Sequence, residues 1–253
     1  MTKIQTAERV SQNETSDNYV FQRSLLAYLE AAKHVHGKVL EIGTGSGYGI
    51  EHISTVAEEF VTVDKHRVPT ELILGHENVK FFQVKAPRLD IFPSDYFDFV
   101  ISFQVIEHIS QDSLFMQEIK RVLKPGGKVI LTTPNRLMSL TRNPWHVREY
   151  TQLELENLLT PLFSEVNVLG VSGDSKVMSY YEENKKGVQQ FLKWDILKMN
   201  QWLPRFLLRI PYDWSNRRNR KNISEHGKEI TSSNYLISEF DDSCFDLFCI
   251  ATN

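Results

Sequence analysis

Cysteine is scarce: the 253-residue chain has two, Cys244 and Cys249, both near its C-terminus. Two thiols without a metal-binding partner nearby support neither a zinc cluster nor a secreted disulfide framework. On one strand they would lie five apart and face opposite sides of the sheet, which disfavours a bridge. Reduced core thiols are the plain reading. There is no run of eighteen apolar residues, so no spanning helix and no stable membrane insertion are expected. The polar stretch MTKIQTAERVSQNETSDN lacks the apolar centre of a signal peptide. Internal repeats and low-complexity tracts are also missing, which excludes repeat arrays. These absences lead to the expectation of a cytoplasmic globular protein.

Charge is lacking only on average. The net value of −3 hides twelve Lys and Arg against five Asp and Glu between Lys176 and Lys228, a local +7. The rest of the chain holds seventeen against twenty-seven, or −10. An acidic body carrying a basic segment argues against broad nucleic-acid binding and suggests that the two parts have different tasks. A hydrophobic content of 41% is enough to build an ordinary core.

Apolar β-rich runs alternate with helical patterns from residue 38 to about 172. KVLEI, FVTVD, VKFFQV, FDFVISF, KVILTT and EVNVLGV read as strands, and CFDLFCIAT as a last one. IEHISTVAEEF, SLFMQEIKRVL and TQLELENLLTPL read as helices, and another is expected over Tyr19 to Val35. Such alternation predicts an α/β, doubly wound, mainly parallel sheet. Residues 1–35 form an N-terminal helical segment in this reading. Residues 36–173 and 241–253 form the core, and 174–240 a helical cap insertion. The cap contains FLKWDILKMNQWLPRFLLRIPYDW, in which Trp194, Trp202 and Trp214 accompany Phe191, Phe206, Leu207 and Leu208. These residues pack the cap on the body, line an acceptor pocket, or lie on a membrane or anionic polymer. Arg217, Arg218, Arg220 and Lys221 form a basic cluster open to a phosphate or nucleic-acid reading, or to a simple solvated loop.

Glycine, elsewhere sparse, concentrates in LEIGTGSGYG. Gly43, Gly45 and Gly47 follow a strand and precede a helix, so a ligand can approach bare main chain beside free helix N–H groups. The dinucleotide pattern needs glycine at the sixth position from Gly43, where Tyr48 stands. The acidic Glu41 beside the loop suits a ligand with an amine and a carboxylate better than a diphosphate. Asp64 ends the second strand at the spacing of a ribose-binding acid.

In order and spacing, LEIGTGSGYG, VTVDKH, FDFVISFQVIEH and LKPGGKVILTTPN resemble the motifs of class I S-adenosylmethionine-dependent methyltransferases of the quinone- and natural-product-modifying type. The resemblance covers roughly residues 36 to 170. It implies a Rossmann-like, seven-stranded sheet whose last strand is antiparallel. S-adenosylmethionine is then the cofactor. Glu41 and Gly43 to Gly47 hold its methionine portion, and Asp64, with Lys65 beside it, meets the ribose. The family's adenine-binding acid is replaced by Lys85, followed by Ala86, so backbone groups there would meet the base. Phe103 and Gln104 lie beside the sulfur. No metal is demanded, and no ligand cluster of suitable spacing is visible along the chain.

If the acceptor is a hydroxyl, a base must take its proton. His108, after Glu107 at the lip of the methyl site, and His146, in RNPWHVREYT, are the candidates. Glu107, Arg148 and Tyr150 are candidate acceptor contacts. The plainer alternatives are a loop-ordering pair for Glu107-His108 and a backbone-bonded loop histidine for His146. Arg148 and Tyr150 could be structural, leading into a helix capped by Thr151. O-methylation of an aromatic, lipid-like or glycosyl metabolite is expected. N- or C-methylation, a macromolecular acceptor such as tRNA, a nucleotide-dependent oxidoreductase and a non-catalytic cofactor-binding module stay open.

Overall fold

The computed structural model describes residues 15–193, 203–222 and 224–253. Trp194 and Trp202 lie outside those residues, as do the side chains of Phe191, Arg217 and Lys221.

Short runs rich in aliphatic and aromatic residues become the parallel strands, mostly buried except in the edge strand VKFFQ. These are β1 (Lys38–Ile42), β2 (Glu59–Asp64), β3 (Val79–Gln83), β4 (Phe97–Phe103) and β5 (Leu123–Pro134). Three more follow: β6 (Glu165–Gly173), β7 (Tyr235–Glu239) and β8 (Asp246–Thr252). The sheet order is β3-β2-β1-β4-β5-β8-β6-β7. Strand β8 runs antiparallel to both β5 and β6, as expected of the last strand, and β7 runs antiparallel to β6.

The count is therefore eight strands rather than seven. The additional strand, β7, lies inside the stretch expected to be a cap, so the sheet takes back part of residues 174–240. YLISE is a five-residue edge strand with Leu236 exposed, and such a short edge carries little of the buried pattern that marks a strand.

Side chains alternate between two apolar layers. Val39, Phe99, Ile101 and Ile130 face one cluster with α1 (Asn18–Ala31), α2 (Ile50–Ser54) and α5 (Ser175–Lys193). Leu40, Val100, Val129 and Leu131 face the other, with α3 (Asp112–Val122) and α4 (Gln152–Leu159). This period of two is what a sheet with both faces covered requires. Cys244 and Cys249 are both buried and free, and β8 begins after Cys244.

Among the described residues of the expected cap, α5 and α6 (Arg205–Asn222) are clasped where Asn219 Nδ2 donates to Asn184 Oδ1 at 2.6 Å. No helix among the described residues is long and apolar enough to cross a membrane. The sheet places β1 between β2 and β4, where the chain order reverses. Ligands bind beyond the strand carboxyl ends at such a switch point.

Candidate active site

The β1 strand delivers the glycine loop to this crevice. Gly43, Gly45 and Gly47 have φ of +100°, +58° and +84°. The backbone N–H groups of Gly43 and Thr44 donate to Val63 O at 2.8 and 3.1 Å, folding the loop over the end of β2. A Cβ on Gly43 would sit 2.5 Å from Val105 Cγ2, so the residue is excluded from carrying a side chain by space as well as by φ. Asp64 braces the same loop. Its Oδ2 accepts from Gly45 N at 2.9 Å and its Oδ1 from His66 N at 2.8 Å. A carboxylate is the kind of acceptor that the hydroxyls of a bound sugar need.

Glu41 stands behind the loop, not on the cavity wall. Its Oε1 accepts from Tyr28 Oη at 2.6 Å and its Oε2 from the Thr62 hydroxyl, which pairs in turn with Thr44 Oγ1 at 2.6 Å. Burial pushes its carboxyl up to about 7, against the opposing effect of the Thr62 and Tyr28 hydrogen bonds. Glu41 thus acts on the loop through Thr62 and Thr44. Gly47 is likewise set back from the wall.

A cavity of about 780 Å³ runs from this loop past the ends of β4 and β5 to the cap. Asp64, Lys65, Lys85 and Ala86 line one end, and Phe103, Gln104, Glu107, His108 and His146 the other. Gln104 holds φ of +56°, uncommon outside glycine, with its N–H donating to Thr132 O at 2.9 Å. Local strain of this kind gathers at ligand sites.

Glu107 is 1% exposed, and burial raises its carboxyl to about 7. Thr133 Oγ1 donates to its Oε2 at 3.1 Å, and His108 Nε2 lies 3.9 Å from its Oε1. His108 Nδ1 sits 3.1 Å from Trp145 O, an oxygen that only accepts, so Nδ1 carries the proton. His146 Nδ1 sits 2.6 Å from Glu149 Oε1. Asn143 Nδ2 approaches His146 Nε2 at 2.8 Å, and Trp145 N fixes that amide by donating to Asn143 Oδ1 at 3.0 Å. The two imidazoles meet edge to face, 4.9 Å between centroids. Residues 38 apart in the chain thus form one cluster. Glu107, His108 and His146 each offer a ligand-capable atom within 4.8 Å of the others. Linear spacing along the chain cannot show what the segments after β4 and β5 bring together.

Arg148 and Tyr150 are corrected. Both side chains bind Asp112 Oδ2, at 2.8 and 2.9 Å, and neither lines the cavity. Tyr150 is 1% exposed within the core, so it cannot meet an acceptor. The same loop does lead into a capped helix: Thr151 and Glu154 form a reciprocal capping box at the start of α4.

Several cavity residues carry no sequence signal. Tyr19, Arg23, Tyr180, Tyr181, Asn184 and Asn219 close the cap end. Arg23 Nε lies 2.8 Å from Asp246 Oδ2 in a buried ion pair. Contacts from α1, α5 and α6 follow no motif, and only the folded chain joins them.

The donor set fits S-adenosylmethionine. Bare main chain at Gly43 and Gly45 suits an amino-acid tail, the Asp64 carboxylate suits a ribose diol, and the cavity takes a nucleoside with room left over. A family model described as a methyltransferase domain matches residues 16–166. The chain belongs to the S-adenosylmethionine-dependent methyltransferases. This methyltransferase is 35% identical over 182 residues to a Mycolicibacterium smegmatis protein named as a probable S-adenosylmethionine-dependent methyltransferase, covering 66% of this chain and 67% of that one. It is 28% identical over 104 residues to a ubiquinone biosynthesis O-methyltransferase of Bradyrhizobium, covering 39% and 40%. The chain thus spans two thirds of one relative's length and two fifths of the other's. Among solved structures, the [4+2]-cyclase SpnF superposes with a TM-score of 0.56 at 16% identity, covering 94% of this chain and 80% of that one. That likeness shows the fold alone.

Proposed function

We propose that this methyltransferase transfers a methyl group to an oxygen of a small aromatic, lipid-like or glycosyl acceptor. One observation carries the reading: the cavity that begins at the glycine loop is also lined by the Glu107-His108-His146 cluster. When bound, S-adenosylmethionine supplies an activated methyl group and departs as a neutral thioether. Gly43, Gly45, Asp64 and Lys65 would hold it, with Lys85 and Ala86 at the base end. Phe103 and Gln104 place the sulfur. The acceptor enters against Tyr19, Tyr180 and Tyr181, whose rings suit a flat or sugar face, while Asn184 and Asn219 suit its hydroxyls. As its oxygen takes the methyl, its proton leaves at the cluster. Holding both partners in line supplies ~7–11 kcal/mol of the barrier.

The ubiquinone O-methyltransferase relative supports oxygen as the acceptor atom. The test pairs a methyl-transfer assay on aromatic and glycosyl hydroxyl compounds with calorimetry. His108→Ala is expected to lower turnover about a hundredfold or more, with affinity for S-adenosylhomocysteine unchanged. His146→Ala is expected to do the same. Unchanged turnover in both would remove the cluster from proton removal and favour an amine or thiol acceptor.

A further inference from the structure

Glu107, His108 and His146 are arranged as ligands are arranged around a metal ion. Their ligand-capable atoms lie within 4.8 Å of one another, and all three residues line the cavity. They come from two backbone segments, the turn after β4 and the loop after β5. These segments are tied by Val147 N and Arg148 N, which donate to Glu107 O at 2.7 and 3.2 Å. Each side chain is oriented from behind. His108 turns Nδ1 to the Trp145 carbonyl at 3.1 Å, and His146 turns Nδ1 to the Glu149 carboxylate at 2.6 Å. Thr133 Oγ1 holds Glu107 Oε2 at 3.1 Å, leaving Oε1 on the side of His108 Nε2, 3.9 Å away. Imidazoles bound to metals almost always donate their outer N–H to a carbonyl or carboxylate in this way. Two such outer partners and a braced carboxylate would be an elaborate means of holding loops that backbone hydrogen bonds already join.

We infer that Glu107 Oε1, His108 Nε2 and His146 Nε2 bind one divalent transition-metal ion such as Zn²⁺, Mn²⁺ or Co²⁺. Two imidazoles and one carboxylate suit these ions, whereas Mg²⁺ and Ca²⁺ want oxygen donors throughout. Three protein ligands leave open positions, and these face the cavity. An acceptor oxygen seated there would lose its proton to solvent more easily, as a metal-bound water does. An acceptor with two adjacent oxygens would fill two positions. This last step rests on the acceptor site proposed above; the binding of the ion does not. Asn143 Nδ2, which donates to His146 Nε2 at 2.8 Å, must swing aside.

The test uses chelator-stripped full-length protein. It is titrated with Co²⁺ by visible absorption and with Zn²⁺ by calorimetry, each without a methyl acceptor. One ion per chain is expected, with visible bands of nitrogen and oxygen coordination. His108→Ala and His146→Ala should each weaken binding by about tenfold or more, while Asn143→Ala retains or tightens it. Unaltered affinity for S-adenosylhomocysteine in every variant shows that the fold is intact. Absence of saturable Co²⁺ and Zn²⁺ binding, or binding undiminished in both histidine variants, overturns the inference. Methyl transfer by the metal-free protein at full rate would overturn the ion's role and leave the proposed methyl transfer standing.

Discussion

Tyr28, Thr62 and Glu41 show how single side chains set the cofactor loop. The Glu41 carboxyl is fully buried and pushed up to about 7, so the folded protein keeps a proton that the unfolded chain gives up near 4.5. Because the folded state holds more protons across that window, stability falls as pH rises from about 4.5 through 7. The stability lost is up to about 3 kcal/mol by pH 8. Urea unfolding of the wild type and Glu41→Gln should show this directly: the wild type loses ground against the variant as pH rises from 5 to 8. A constant difference would contradict the assignment. Glu107 contributes a slope of the same sign in both proteins, so the comparison, not either curve alone, is decisive. At Gly43 the constraint is spatial. Gly43→Ala, with φ of +100° and Val105 in the way, is expected to weaken S-adenosylhomocysteine binding by at least about tenfold in calorimetry. At this scale the sequence was most informative about glycines and strand-end acids. It was least informative about Arg148 and Tyr150. Both had a plausible chemistry for binding but are claimed by Asp112, 36 and 38 residues away.

Among the elements, β1 and β4 were legible to the residue, because KVLEI and FDFVISF are short, mostly apolar runs. The helix expected over IEHISTVAEEF shrinks to Ile50–Ser54, since the chain must turn at once to start β2 at Glu59. The α1 helix was expected near its observed place, but its attachment was not. Arg23 on α1 and Asp246 at the start of β8 meet in a buried pair 223 residues apart in sequence. Removing one partner leaves the other charge buried, so Arg23→Ala is expected to cost about 3–5 kcal/mol in chemical unfolding. Replacing both partners with apolar residues should recover much of that loss; no recovery would mean that the pair is not the source. The cap helices resist reading for another reason. Tyr180, Asn184 and Asn219 become neighbours only when α5 and α6 pack together.

Taken whole, the chain joins an acidic remainder to a basic stretch at Lys176 to Lys228, and a cavity among the described residues runs from the glycine loop past the β4 and β5 ends. Fold and cofactor were readable because four motifs recur in order along one sheet. The proposed acceptor end was not, because the residues proposed for it are gathered from segments far apart in the chain. A structural likeness to a [4+2]-cyclase shows that this architecture does not by itself fix a reaction. The most direct measurement is a crystal structure with S-adenosylhomocysteine. The account predicts the amino-acid tail on Gly43 and Gly45, the ribose hydroxyls on Asp64, and the sulfur turned toward Glu107, His108 and His146. A sulfur turned away from that cluster, or a ligand that leaves the glycine loop and Asp64 untouched, would contradict it.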